Sequence, residues 1–173
     1  LALQELRPHA DSLPGEVLLW VVDERVVAQA RAGAMEFEVG DQRVRWRAEA
    51  RYLGEFSCRA RGGVYTGMRF AMGEAAVLSA GRIRLVACGR PTLAADPAFY
   101  EAAGLDPSAA LAVQVKSFAG WQAGFGVGPE RGLYFDGPGS TSLRFGKLPF
   151  RAAARSLLPM NPAATLPEFL HEH

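Results

Sequence analysis

The feature that most constrains this sequence is a strict alternation of apolar and charged residues on both sides of Gly40-Asp41. Apolar residues occupy every second position of the two flanking segments: Met35, Phe37, Val39, Val44, Trp46, Ala48, Ala50 and Tyr52. The positions between them carry glutamates before the turn and mainly arginines after it. A period of two is typical of strands with one buried and one solvated face. The segment therefore predicts a β-hairpin with Gly40-Asp41 as its two-residue turn.

This turn also predicts the register of the hairpin. It places Glu38 opposite Arg43 and Glu36 opposite Arg45, and facing opposite charges contribute ~0.2–1 kcal/mol per pair. A row of arginines can also bind nucleic acid. Because the glutamates stand where neutralisation needs them, we interpret the row as a solvated sheet face and expect no nucleic-acid partner. The formal net charge of +1 agrees with that interpretation.

The rest of the chain predicts an α+β fold, in which antiparallel hairpins are followed by β-α-β-α-β. The apolar run Val17–Val22 fits either a strand or a buried helix segment. The other predicted elements are, in order, an opening segment 1–15 with one helical turn, a helix capped by Asp23 and stopped by Gly33, a strand 64–70 with a turn at Met72-Gly73, a hairpin 75–79/82–88 about Ala80-Gly81, a helix from Asp96-Pro97 to Gly104, a buried strand 111–115, a helix 116–126 and a buried strand 133–135. This order predicts a mixed sheet with helices packed on it and right-handed crossovers in its last part.

Length and composition predict one domain over residues 1–173, with a proline-rich tail at 150–173. No apolar run reaches the ~18 residues of a membrane span, so we expect no membrane partner. The two cysteines, Cys58 and Cys88, are expected to be reduced and buried. The chain begins with Leu1 and carries no signal-peptide pattern, so we expect a cytoplasmic protein that is a piece of a longer polypeptide.

Few residues carry recognisable chemistry. The histidines are His9, His171 and His173, all near the chain ends, so the interior offers no set of three or four zinc ligands and no base for a serine or cysteine nucleophile. Lys116-Ser117 has two interpretations. The lysine can end the strand while the serine caps the next helix. The two can form a reactive pair only if the strand has already ended, because adjacent residues on a strand point to opposite faces. The glycine-rich loop 136–142 is either a turn or a cradle of backbone amides for an anion.

Several short motifs between residues 62 and 162 resemble one known family in their order and spacing. They are Met72-Gly73 with Ala76-Val77-Leu78, Gly104-Leu105-Asp106-Pro107, Val115-Lys116-Ser117, Tyr134 to Ser142 with its Asp136-Gly137-Pro138-Gly139, and Leu148-Pro149-Phe150-Arg151. The C-terminal domain of the microcystinase C (MlrC) family of candidate zinc metallopeptidases has a similar run. The chain departs from that family at Glu74-Ala75, where Pro-Thr is usual, and at Gly120-Trp121-Gln122, where His-Phe-Arg is common. The family's Asp-Asn-Pro-Gly-Gly-Gly motif has only a faint counterpart in Asp11 to Gly15.

The resemblance implies a two-part protein whose larger N-terminal half binds zinc. This chain would then be the accessory C-terminal domain of a peptide hydrolase and would bind no cofactor of its own. Its partner would be the zinc-binding half, in the same or in a partner polypeptide. The resemblance is also compatible with a homo-oligomer. The departures point to a divergent or inactive member. The family-motif candidates for a cleft or interface are Lys116, Ser117, Asp136, Gly139 and Thr141. Parallel neighbouring strands 111–115 and 133–135 would bring Lys116 and Asp136 to one sheet edge.

Two alternatives remain open at this point. One is a stand-alone binding or assembly module that retained the fold and has no enzymatic activity. The other is a complete small hydrolase that uses Lys116 and Ser117. A zinc-ligand half encoded before Leu1 would favour the accessory domain, and a start codon there would favour the stand-alone module.

Overall fold

A mixed β-sheet is the centre of the chain, which we describe from a computed structural model for residues 2–92, 94–116 and 120–134. The elements in chain order are α1 (Ala2–Leu6), β1 (Val17–Val22), α2 (Glu24–Arg31), β2 (Glu36–Val39), β3 (Val44–Arg47), β4 (Glu49–Arg59), β5 (Arg69–Ala80), β6 (Ile83–Cys88), α3 (Ala98–Ala102), β7 (Ala112–Val113) and α4 (Gly120–Phe125). Short 3-10 turns lie at Arg7–His9, Gly63–Tyr65 and Pro129–Arg131. In the described part, five strands form the large sheet in the order β4-β5-β6-β1-β7, and β2 and β3 form a separate pair.

The α+β prediction is confirmed, because the large sheet mixes both strand directions. β1 runs parallel to β6 and β7, whereas β4-β5 and β5-β6 are antiparallel pairs. The apolar run Val17–Val22 is therefore a strand and not a helix segment. Its first four residues are buried, as expected for a strand covered on both faces. One apolar cluster, around Phe37, Trp46 and Leu78, includes residues of α2 and the hairpin; the other, around Trp20, Phe99 and Tyr100, includes α3.

Helix α2 follows its sequence prediction closely. The carboxylate of Asp23 accepts hydrogen bonds from the backbone amides of Arg25 and Val26, which caps the helix. Val26, Val27 and Ala30 are buried on its inner face. Gly33 has φ +78°, a conformation that favours glycine, and it ends the helix as predicted.

The β2-β3 hairpin exists, but its predicted turn is wrong. The loop has four residues, Gly40 to Arg43, and the amide of Arg43 bonds the carbonyl of Gly40 at 3.0 Å. The facing pairs are Glu38 with Arg45 and Glu36 with Arg47. A shift of two positions leaves every side chain on the same face and every glutamate opposite an arginine, so the alternation alone could not distinguish the two registers.

The second arm of the hairpin divides between two sheets. It pairs with β2 up to Arg47, and from Glu49 onward it belongs to the large sheet as β4. Between them, the amide of buried Ala48 donates to the carbonyl of Met35 at 3.0 Å. The apolar alternation continues across this junction, so it carries no signal for the change of sheet.

The next two predicted turns also lie elsewhere. Met72-Gly73 is inside β5, where Gly73 has φ +68° and lies at an irregularity of the β4-β5 ladder. A glycine with positive φ is compatible with a bulge as well as a turn, which explains the error. The β5-β6 loop is Gly81-Arg82, since Ala80 pairs with Ile83. The predicted strand 64–70 begins only at Arg69, after the 3-10 turn.

The later elements are shorter than predicted. Helix α3 and its stop at Gly104, φ +72°, are confirmed. β7 has only two residues, and Leu111 before it is exposed, so the predicted buried strand 111–115 is wrong. β7 pairs with the start of β1 and is the outermost strand of the sheet in the part of the chain that the structure describes. Helix α4 begins at Gly120, and Lys116 is outside it.

The last predicted strand, 133–135, is wrong at the two of its residues that the structure describes. Leu133 and Tyr134 are exposed and lie in no strand, and residue 135 lies outside the described residues. A run of three apolar residues is too short for its pattern to establish a strand. The described elements all belong to one compact unit, Leu1–Arg131, and residues from Gly132 onward belong to a second one. The single-domain prediction therefore stays a prediction.

Candidate functional site

The carboxyl ends of the parallel strands β6, β1 and β7 lie at one edge of the large sheet. Ligands commonly bind at such an edge, where strands open into loops. The residues that follow these strands are Gly89 after β6, Asp23 after β1 and Gln114 after β7. This edge is therefore a candidate binding site.

The structure describes one of the five predicted site residues. Lys116 is exposed and lies three positions beyond the end of β7, on the segment that leaves this edge. Ser117, Asp136, Gly139 and Thr141 all lie outside the described residues. A shared edge for Lys116 and Asp136 thus stays a prediction.

Gln114 organises the segment that leads to Lys116, and sequence reasoning missed it. Its backbone amide donates to the carbonyl of Leu18 at 2.8 Å, and its side-chain Oε1 accepts the amide of Trp20 at 3.0 Å. The phenol of buried Tyr100 donates to the carbonyl of Gln114 at 2.7 Å. A side chain therefore continues the ladder along β1 where β7 has ended. A lone glutamine after a short strand carries no recognisable sequence signal for this role.

Asp23 is a buried carboxylate at this edge, but its lone pairs are occupied. One oxygen accepts the amides of Arg25 and Val26, and the other accepts the amide of Gly40 at 2.9 Å. The guanidinium of Arg25 also bonds this carboxylate, and that hydrogen bond raises the pKa of Arg25. Asp23 therefore joins α2 to the hairpin loop and is not placed to act as a general base.

A second buried carboxylate, Asp96, precedes helix α3. One oxygen accepts the amide of Ala98 at 2.8 Å. The other accepts the amides of Arg61 at 2.9 Å and Gly62 at 2.8 Å. Asp96 thus connects the start of α3 to the loop after β4. This role was not predicted, because the bonded loop lies more than 30 residues away along the chain.

The two thiols, Cys58 and Cys88, are buried and unpaired, as predicted. Burial raises the pKa of Cys58 to about 11, with a further contribution from the charge of Asp96. Burial also raises the pKa of Cys88 to about 12. Because the thiolate is the nucleophilic form, neither thiol is suited to covalent catalysis near neutral pH.

These pKa values predict a loss of stability in alkali. The thiols ionise near the ordinary value of 9.0 when unfolded, but near 11 and 12 when folded. Their contribution to stability is complete below pH ~9 and is lost as the pH rises through the folded values. From pH 8 to 9.5, the free energy of unfolding should fall by roughly 1–2 kcal/mol more in the native chain than in Cys58→Ala/Cys88→Ala, measured by urea unfolding. Equal losses in the two proteins would contradict the prediction.

Within residues 2–92, 94–116 and 120–134, no three His, Cys, Asp or Glu side chains are grouped so that they could hold a metal ion. His9, the one histidine in these ranges, is exposed. The same ranges contain no helix with the length and apolar character that a bilayer crossing requires. At this edge, the described residues thus include Asp23 and Gln114, which hold the backbone in place, and the exposed Lys116. They include no ligand set for a metal.

The strands and helices of the described residues together define a mixed-sheet α+β domain. The family described as MlrC C-terminus matches residues 20–152, and the chain belongs to this family. The resemblance found in the sequence motifs is therefore confirmed. A comparison with curated proteins found no match.

A solved structure supports the fold. The chain is similar to a protein of Mesorhizobium sp. BNC1, described as a candidate metallopeptidase, whose crystal structure was determined at 2.13 Å. The two share 23% sequence identity and superpose with a TM-score of 0.77. The similarity covers 92% of this chain but only 34% of the Mesorhizobium chain.

Proposed function

We propose that this chain is the accessory C-terminal domain of a zinc metallopeptidase-like peptide hydrolase and is not catalytic by itself. The observation that carries the proposal is its match to the MlrC C-terminus family, together with its coverage of only 34% of a candidate metallopeptidase. In this proposal an N-terminal half supplies the zinc ligands, and this domain packs against it and shapes the substrate cleft. The two unpaired, buried thiols are compatible with action in the cytoplasm, where thiols stay reduced.

Within this proposal, the segment from Lys116 is the part that faces the cleft or the domain interface. Lys116 is exposed, while Gln114 holds the preceding backbone against β1. A lysine on an anchored segment can present its charge to a partner surface with little loss of backbone freedom. Ser117, Asp136, Gly139 and Thr141 are proposed as further contributors to the cleft or the interface.

The proposal predicts where zinc will be found. The tag-free 173-residue chain should hold less than about 0.1 zinc per molecule, because its described part has no ligand set and a zinc site needs three or four ligands. The natural polypeptide or complex that contains the chain should hold about one zinc or more per molecule. Elemental analysis of both, purified identically without chelator, measures the difference.

Peptide hydrolysis by the same two samples provides the companion test. We expect cleavage of a peptide mixture by the natural polypeptide, and none by the chain itself. Zinc held stoichiometrically by the isolated chain would contradict the accessory role. A natural polypeptide without zinc and without hydrolysis would instead favour a stand-alone binding or assembly module.

A further inference from the structure

The loop between β4 and β5 holds two large apolar side chains in solvent. Val64 is 80% exposed and Met68 is 51% exposed, and together we name them the apolar tip. Single exposed apolar residues are common on protein surfaces and need no explanation. The apolar tip differs because of the backbone that carries it and the charges at its base.

The backbone of this loop is fixed by hydrogen bonds from both ends. The amide of Ala60 donates to the carbonyl of Met68 at 2.9 Å, and the amide of Gly67 donates to the carbonyl of Ala60 at 2.8 Å. The carboxylate of Asp96 holds the amides of Arg61 and Gly62. A loop that is already ordered loses little entropy when a partner covers it, so its apolar area contributes more fully to binding.

Two arginines face each other at the base of the loop. Arg59 and Arg69 are direct partners across the β4-β5 ladder, and like charges in this position are destabilising. The Arg59 guanidinium donates to the carbonyl of Gly67 at 2.7 Å, and that of Arg69 donates to the Ser57 hydroxyl at 3.3 Å. Neither arginine forms an ion pair with any carboxylate in the described part of the chain. Among the described residues, two positive charges without an ion-pair partner thus lie beside the apolar tip.

The arginines of β3 and its loop provide an internal comparison. Arg43, Arg45 and Arg47 each lie within 4 Å of a glutamate of β2, at 3.6, 3.5 and 3.8 Å. There the chain compensates an exposed arginine row with its own carboxylates. The missing compensation at Arg59 and Arg69 matches a surface whose carboxylates come from another molecule or domain.

We propose that the apolar tip and the Arg59–Arg69 pair form the docking surface for the zinc-binding N-terminal half, on which an apolar pocket flanked by carboxylates receives them. This inference rests on the proposed function. A second copy of the same surface is a poorer partner, because it would bring four arginines together. The occupant is therefore a protein surface of opposite charge.

Photo-crosslinking tests the contact in the natural polypeptide or complex, produced in its source cells. The substitution Val64→p-benzoylphenylalanine introduces the probe at an exposed position, so the fold should tolerate it. We expect the crosslinked peptide, identified by mass spectrometry, to come from the zinc-binding half. The same probe at Met35, which is 52% exposed, is the matched control and should give no such product.

The charge contribution is tested with Arg59→Gln/Arg69→Gln in the presence of the Val64 probe. This change removes a like-charge pair and should not impair folding, yet it should lower the crosslink yield about fivefold. Arg45→Gln/Arg47→Gln removes two compensated arginines and should leave the yield within about twofold. An unchanged yield in the first variant would overturn the carboxylate-flanked pocket.

The remaining outcomes separate this inference from the proposed function. If the natural sample holds zinc but the Val64 probe reacts with a second copy of the loop, with lipid or with nothing, the docking surface is wrong and the accessory role stands. If the sample holds no zinc and has no zinc-binding half, both proposals fail. A crosslink from Met35 as strong as that from Val64 would remove the specificity of the surface.

Discussion

Replacement of Asp96 by alanine is expected to lower the free energy of unfolding by about 4 kcal/mol. Asp96 is only 3% exposed, and its carboxylate accepts hydrogen bonds from the amides of Arg61, Gly62 and Ala98. Without it, the buried amide of Ala98 and the partly buried bonds of the Arg61 and Gly62 amides lose their acceptor, and the connection between α3 and the loop after β4 is lost. Urea unfolding followed by circular dichroism measures the change.

Asp106→Ala is the matched control for this experiment. Asp106 makes a similar local pattern, accepting the amide of Ser108 at 2.9 Å and its hydroxyl at 2.6 Å, and these bonds lower the pKa of Asp106. It is exposed, so water can replace the carboxylate, and the expected loss is much smaller than at Asp96. Equal losses at the two positions would show that burial and the distant loop add nothing to the role of Asp96.

Replacement of Gly124 by alanine is expected to cost about 3 kcal/mol, although alanine usually stabilises a helix relative to glycine by ~1 kcal/mol. A Cβ atom at Gly124, in α4, would overlap the carbonyl oxygen of Ala95. At a second contact of α4, a Cβ at Gly62 would lie 2.9 Å from the Gly124 carbonyl oxygen. The two glycines thus let α4 approach two backbone segments closely.

A double-mutant cycle checks this close approach. Gly62→Ala and Gly124→Ala both push α4 away from a neighbouring backbone segment, the first from the loop after β4 and the second from Ala95. Because a displacement of α4 by one substitution relieves part of the overlap at the other, the double variant should lose less stability than the sum of the single variants. Urea unfolding of all four proteins provides the comparison. Exact additivity, or a stabilising effect of Gly124→Ala, would mean that α4 is not held by these contacts.

Features that depend on neighbouring residues could be predicted from the sequence. The cap of α2 at Asp23 and its stop at Gly33 were correct, because a capping carboxylate and a left-handed glycine act within one helical turn. The burial of Phe37 and Trp46 was also correct, since side chains alternate faces along any strand. The order of motifs was sufficient to indicate the family, which the match over residues 20–152 confirms.

Features that depend on pairing between distant segments were decided by the tertiary structure. The alternation predicted which face of each strand is buried, but a hairpin shifted by two positions buries the same face, so the four-residue loop was decided by the backbone geometry at Gly40 and Arg43. The bond from Asp96 to Gly62 joins residues 34 positions apart, and Gln114 reaches Trp20 across 94 positions. Periodicity and capping rules describe interactions within a few residues. Such long-range bonds exist only once the sheet has brought the segments together.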